Sequence, residues 1–230
     1  MSTTSASTAR GPEAPGARGM ASADDIVQGL ARADLARFLS ACFYEPDAAF
    51  AEERLFESMA EAAGRVDADL AAQAKRLGEA FAAEGVDALL VEYTRLFLGP
   101  VSPHAAPYGS AWLQPGGSLM QESTEAVQAL YQEGGFDVDD DVHELPDHVA
   151  VELEFLYALE FALERSRREN DAAERGRIED LRRRFLGVHL GAWIEPFAAR
   201  VESGSQSVFY RELAALARRF VEMELRAATH

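Results

Sequence analysis

Apolar residues recur at spacings of three and four along nearly the whole chain, and that rhythm limits most tightly what it can fold into. The clearest run is Val149, Leu153, Leu156, Leu159 and Leu163, which forms one stripe on an α-helix. Val27, Leu30, Leu35, Phe38, Leu39 and Cys42 mark an earlier helix that stops at Glu45-Pro46. Phe50, Leu55, Phe56 and Met59 predict a helix over 48–63, closed by Gly64, and Leu70, Ala74, Leu77 and Phe81 predict another over 67–84. Leu89, Tyr93, Leu96 and Phe97 share a face over 86–98 and are expected to pack in the core. Phe209, Leu213, Leu216, Phe220 and Met223 predict a last amphipathic helix over 208–225. No convincing strand pattern occurs: short alternations such as Phe136-Asp137-Val138 sit between a glycine pair and an aspartate run and read as loop. The expected fold class is all-α, a single globular helical domain of about nine or ten helices.

Helix-end signals agree with these boundaries. Ser22 precedes Asp24 and Asp25, Asp171 opens a helix through Arg182-Arg183-Arg184, and Ser118 to Gln121 has the capping-box pattern. Pro196, inside the apolar run from His189 to Val201, predicts a kink or a helix restart. Residues 1–22, rich in Ser, Thr, Ala, Gly and Pro with no apolar core, are expected to be a disordered tail rather than a secretory signal. Residues 23–230 then form the folded domain.

Charge narrows the partners. Lys and Arg total 22 against 39 Asp and Glu, a net charge of −17. That excludes a general grip on nucleic acid, which needs clustered cations to displace counterions, and disfavours anionic membranes; basic partners are the natural complement. No apolar run approaches the roughly 18 residues of a membrane span. The single cysteine, Cys42, excludes an internal disulfide and lies on an apolar helix face, so a buried thiol in a cytoplasmic protein is expected.

Two stretches stand apart from the helical pattern. Gly99 to Gly117 carries Pro100, Pro103, Pro107 and Pro115 together with His104, Tyr108 and Trp112, and a loop this long inside a domain is often functional. The second begins at Gly134-Gly135, passes through Asp137, Asp139, Asp140 and Asp141, and ends at Glu144-Leu145-Pro146-Asp147-His148-Val149, where the longest apolar stripe begins. This loop, about 134–147, reads as a hinge. Asp147 is placed to cap the helix, with His148 in its first turn.

Familiar catalytic patterns are missing. There is no GxGxxG, no GxxxxGK[ST], no GxSxG and no Cys–His pair. His143, Asp147, His148 and Glu152 are ligand-like residue types, and His148 and Glu152 are four apart on one helical face, so a small metal-dependent hydrolase is one alternative. A non-catalytic helical scaffold is another, with Asp147 only a cap. Glu152, Glu154, Glu160 and Glu164 read as a solvated face, with Glu164 placed to pair with Arg168.

Tyr93-xx-Leu96-Phe97 followed by a Gly-Pro loop, then Glu144-Leu145-Pro146-Asp147-His148-Val149, resembles the TorD/DmsD/NarJ family of redox-enzyme maturation chaperones. The TorD/DmsD branch is the nearer, its motifs having the form [YFW]xxLF and E-P-x-D-H-[ILV]. Here the spacing from Glu to Asp-His is kept and the proline is shifted by one. Val151 to Phe155, His189 to Phe197 and Ser207 to Tyr210 extend the likeness over roughly 23–225. The resemblance implies a non-enzymatic, cofactor-free chaperone in the cytoplasm. Its partner would be the catalytic subunit of a molybdopterin-containing oxidoreductase, with that subunit's twin-arginine leader. It would assist cofactor insertion and delay export, as a monomer or a domain-swapped dimer. By that analogy Asp147 and His148 are the expected client contacts, with Tyr93, Leu96, Phe97 and Pro146 structural; a basic, apolar leader needs acidic and apolar groups, which Glu144, Asp141, Tyr108 and Trp112 offer.

Overall fold

The computed structural model describes residues 22–99, 102–113, 122–137 and 144–229. Helix α1 (Ala23–Phe43) opens on a closed capping box: the Ser22 hydroxyl accepts from the Asp25 N–H and the Asp25 carboxylate accepts from the Ser22 N–H. The helix expected over 48–63 is two helices, α2 (Ala49–Glu52) and α3 (Leu55–Val66). They divide at Arg54, whose left-handed backbone (φ 57°) interrupts the hydrogen-bond ladder without any Gly or Pro to announce it. Gly64 stays inside α3, and the stop falls at Asp67, whose carboxylate accepts from the N–H groups of Asp69 and Leu70 to start α4 (Ala68–Glu84).

Helix α5 (Val86–Tyr93) continues into one wide π-turn, Thr94–Leu98. After it come the single turn α6 (Ser110–Leu113), then α7 (Glu122–Gly134), α8 (Val149–Arg168), α9 (Ala172–Val188), α10 (Leu190–Gly204) and α11 (Val208–Thr229). Nine of the eleven α-helices are longer than one turn, and no strand occurs among the described residues. Pro196 lies within α10 and does not restart it. The tail over 1–21, the Ser118–Gln121 capping pattern and residues 138–143 of the hinge loop, Asp141 and His143 among them, lie outside the described residues.

Helix α8 is the central element. Val149, Leu153, Leu156, Leu159 and Leu163 are buried against α1 on one side and α9 and α10 on others. The solvated glutamate face expected on it is overturned. Glu152, Glu160 and Glu164 are buried, each held by a partner contributed by the fold. Glu160 takes an ion pair from Arg182 of α9, which also reaches Glu224 of α11. Glu164 pairs with Arg167 rather than Arg168, and Gly29 of α1 leaves room for it, since a Cβ there would fall 1.9 Å from Glu164 Oε1. Glu154 accepts from the hydroxyls of Ser40 (3.2 Å) and Tyr44 (3.1 Å) on the α1 side.

The end of α5 and the π-turn carry the Tyr93-xx-Leu96-Phe97 motif, and all three named residues are buried, as their spacing predicts. Phe97 lies among the rings of Phe43, Tyr93, Phe197 and Tyr210 at centroid separations of 5.3–6.4 Å. The core thus joins α1, α5, α10 and α11 through one side chain. Phe97→Ala is expected to cost about 3–5 kcal/mol, read as a drop in the urea midpoint at unchanged slope.

Candidate functional site

The two stretches singled out in the sequence meet. At the end of the π-turn, carbonyls that no later helical N–H can reach are left to accept from elsewhere. The Leu96 carbonyl takes the Ala105 N–H (2.9 Å), and Gly99 turns the chain at φ 59°, where a Cβ would collide with the Ser102 carbonyl at 2.2 Å. Residues 102–113 then form a strap that crosses to the start of α8. There the Pro107 carbonyl accepts from the Val149 N–H and the Asp147 carbonyl from the Gly109 N–H, both at 2.8 Å, flanking the antiparallel bridge between Tyr108 and His148.

Asp147 has a different task from the cap that its position predicts. Its carboxylate Oδ2 accepts the Ser110 N–H (2.8 Å) at the start of α6, so it caps the strap's own turn instead of α8. His148 caps α8: its Nδ1 accepts from the Ala150 N–H at 3.2 Å, which leaves the ring proton on Nε2. The ring stacks on Tyr44 and meets Tyr108 edge-on, at centroid distances of 5.9 and 5.2 Å. Burial holds its pKa down at about 4, against the opposing pull of Glu144 and Asp147. His148 is therefore a neutral hydrogen-bond acceptor at physiological pH.

Both side chains are only 1% exposed, so in this conformation neither can touch a partner directly. The partly exposed Glu144 and Tyr108 form the surface beside them. Glu144 Oε2 accepts from the Tyr108 hydroxyl (2.8 Å), and the Pro146 carbonyl accepts from the Tyr131 hydroxyl (2.6 Å). Trp112 donates its Nε1–H to the Ala106 carbonyl (2.9 Å) and rests edge-on against Phe197, so its indole is more packing than free surface. His148 Nε2 lies 4.0 Å from Glu144 Oε2, too far for a hydrogen bond.

Of the ligand-like set, the described residues His148 and Glu152 do not converge. Glu152 turns away from His148 into the core, where its Oε2 accepts from Trp193 Nε1–H (3.0 Å). Burial raises its pKa well above the carboxylate range despite that bond, with the Asp147 charge adding to the rise. Among the described residues no group of three or more His, Cys, Asp or Glu side chains is arranged to hold a metal ion. Gly109 lets the strap lie on this pair, since a Cβ would sit 3.0 Å from Trp193 Nε1 and 3.3 Å from Glu152 Oε1.

Sequence reasoning passed over a second clamp. Arg95, inside the Tyr93-xx-Leu96-Phe97 motif, makes two 2.7 Å bonds to Glu92 and donates to the Gly204 carbonyl (2.6 Å). Glu92 also accepts from the Ser205 hydroxyl and the Gln206 N–H. Burial alone would raise Glu92, but Arg95 and the bonds from Gln206 and Ser205 hold it at about 2. An Arg three residues after a Glu is a signal available in sequence, but the partners at 204–206 are not.

Two outcomes follow from this geometry. Asp147→Ala leaves the Ser110 N–H buried without an acceptor, at a cost of about 1–3 kcal/mol, and amide exchange at Ser110 should rise more than at the α8 amides. For His148 the folded pKa lies below the unfolded value of 6.5. The unfolded chain therefore takes up the proton first, and stability present above pH 6.5 is lost as pH falls toward about 4, by up to about 3 kcal/mol. His148→Asn keeps a capping acceptor and should flatten that part of the stability–pH curve.

The family described as nitrate reductase delta subunit matches residues 63–199, more than half of the chain and both motifs. The chaperone protein TorD of Shigella boydii serotype 18 is 28% identical over 201 residues, covering 87% of this chain and 85% of that protein. TorD of Vibrio parahaemolyticus serotype O3:K6 is 27% identical over 139 residues, 59% of this chain and 62% of that protein. The crystal structure of a redox enzyme maturation protein from Archaeoglobus fulgidus shares the fold with a TM-score of 0.51 at 24% identity, over 83% of this chain and 93% of that one. The chain belongs to the nitrate reductase delta subunit family, the TorD/NarJ group of redox-enzyme maturation chaperones.

Proposed function

We propose that this chaperone binds the twin-arginine leader, the apo catalytic subunit, or both, of a molybdopterin-dependent oxidoreductase in the cytoplasm. It guards the client while the cofactor is inserted and delays its export. The observation that carries the reading is the half-exposed carboxylate of Glu144, fixed by Tyr108 on a strap that Asp147 clamps to α8. A leader of this class presents arginines beside an apolar segment. Arginine is bound best by a pre-oriented carboxylate, through charge-assisted hydrogen bonds. Glu144 is followed into the interior by the junction and preceded in the chain by Asp139, Asp140 and Asp141, and the net charge of −17 attracts a basic ligand from a distance.

In this reading Glu144 and Tyr108 contact the client, while Asp147 and His148 position them. Pro146, whose carbonyl is held by Tyr131, fixes the approach to α8. The metal-dependent hydrolase has no comparable support, because Glu152 and His148 point to different partners.

Affinity capture from cells grown without oxygen, with mass spectrometry of the retained proteins, tests the role. One molybdoenzyme catalytic subunit should be recovered. Glu144→Gln should keep the circular dichroism of the parent and weaken binding of the client's leader peptide by about tenfold, or ~1.4 kcal/mol. Capture of no oxidoreductase subunit by the parent, or equal leader affinity for both proteins, contradicts the assignment.

A further inference from the structure

Away from the junction, α3 and α4 form an antiparallel hairpin whose outer surface is an open groove of about 1050 Å³. Its floor is made by small residues on two facing stripes, Ala60 and Gly64 on α3 and Ala71, Ala74 and Gly78 on α4. The helices touch closely there: a Cβ on Gly78 would lie 2.8 Å from Phe56 Cβ. Phe56 and Phe81, whose tilted rings lie 4.8 Å apart, make the apolar end of the groove. Lining residues Ala71 to Ala82 cover about 16 Å of α4, or about three helical turns at 1.5 Å per residue.

The rim carries one sign of charge in excess. Glu52, Glu57, Glu61 and Glu79 line it against a single cation, Lys75. Glu57 and Glu61 have exposed arginine neighbours, Arg54 at 3.9 Å and Arg65 at 2.6 Å, and such solvated pairs yield readily to a competing ligand. Glu52 and Glu79 make no ion pair among the described residues.

We propose that this groove docks an α-helix of about three turns from a partner protein, apolar along one face and flanked by arginine or lysine. Small residues on both walls let a third backbone approach closely, the packing by which a helix lies in a groove between two others. The carboxylate rim selects cationic flanks and repels acidic helices. This is a second contact surface, separate from the strap and the start of α8. It rests on the maturation-chaperone reading only for the source of the helix, which would be the client; the groove's own chemistry stands without it.

The probe is a fluorescein-labelled synthetic peptide, two arginines followed by an apolar helix of about eleven residues of Leu and Ala, titrated by fluorescence anisotropy against the full chain carrying Glu144→Gln as the parent, so that the strap's carboxylate does not contribute. A second peptide replaces the arginines with glutamates. Gly64→Trp fills the groove from an exposed site where the new Cβ has 3.7 Å to the nearest atom, so the fold is retained. Glu52→Lys/Glu79→Lys reverses the rim at two exposed positions. The arginine peptide should bind the parent at least about tenfold tighter than the glutamate peptide. Gly64→Trp should weaken it by a similar factor, and the rim double variant should erase the preference.

Equal binding by parent and variants, or no binding to the parent, overturns the proposal. So does a parent that sediments as a dimer which Gly64→Trp dissociates, since the occupant is then a second copy. Tighter probe binding after removal of residues 1–21 would assign the groove to the chain's own tail and also overturn it. Client capture that survives while the peptide fails refutes the groove alone; a peptide that binds while no oxidoreductase is captured refutes the chaperone assignment alone.

Discussion

The bond from the Ser110 N–H to the Asp147 carboxylate is where the two halves of this chain are tied together. It is buried, and its acceptor is charged, so it is both stronger than a neutral bond and costly to lose. Around it the strap of residues 102–113 is laced to α8 by two backbone bonds and to the π-turn by a third. The order of residues at the junction follows from this. With Asp147 committed to the strap, the cap of α8 falls to the next residue, and only a side chain with an acceptor atom can supply it. His148 does so as a neutral imidazole, a state secured by burial between two tyrosines.

Buried polar groups elsewhere obey the same logic. Glu152, Glu160, Glu164 and Glu92 each sit in the interior with a designated donor, from Trp193, Arg182, Arg167 and Arg95 respectively. Isolated, any of them would be destabilising. Paired, they fix how α8 meets α9, α10 and α11, and how the end of α10 meets the π-turn.

Helix positions were legible in the sequence where burial is one-sided. The stripes of α1, α4 and α11 and the caps at Ser22 and Asp171 could be placed because their causes are local. What escaped has a tertiary cause. The break at Arg54 carries no Gly or Pro, and Glu152 and Glu160 of α8 look solvated until their partners, 41 and 22 residues away, are known. Asp147 looked like a cap of α8 because its competing donor, Ser110, is 37 residues distant in the chain. At the site, Glu144 and Pro146 were identified by motif and Tyr108 by the long loop that carries it, while Arg95, inside a motif read only for its apolar residues, and Glu92, just before it, went unnoticed.

The central claim is that a strap clamped by Asp147 presents Glu144 and Tyr108 to a basic client segment. Hydrogen-exchange mass spectrometry of the full chain, with and without the leader peptide of the captured oxidoreductase, tests it most directly. The account predicts slower exchange on binding in the amides of 105–113 and 144–150. Unchanged exchange across both segments, with protection appearing only elsewhere in the chain, would contradict it.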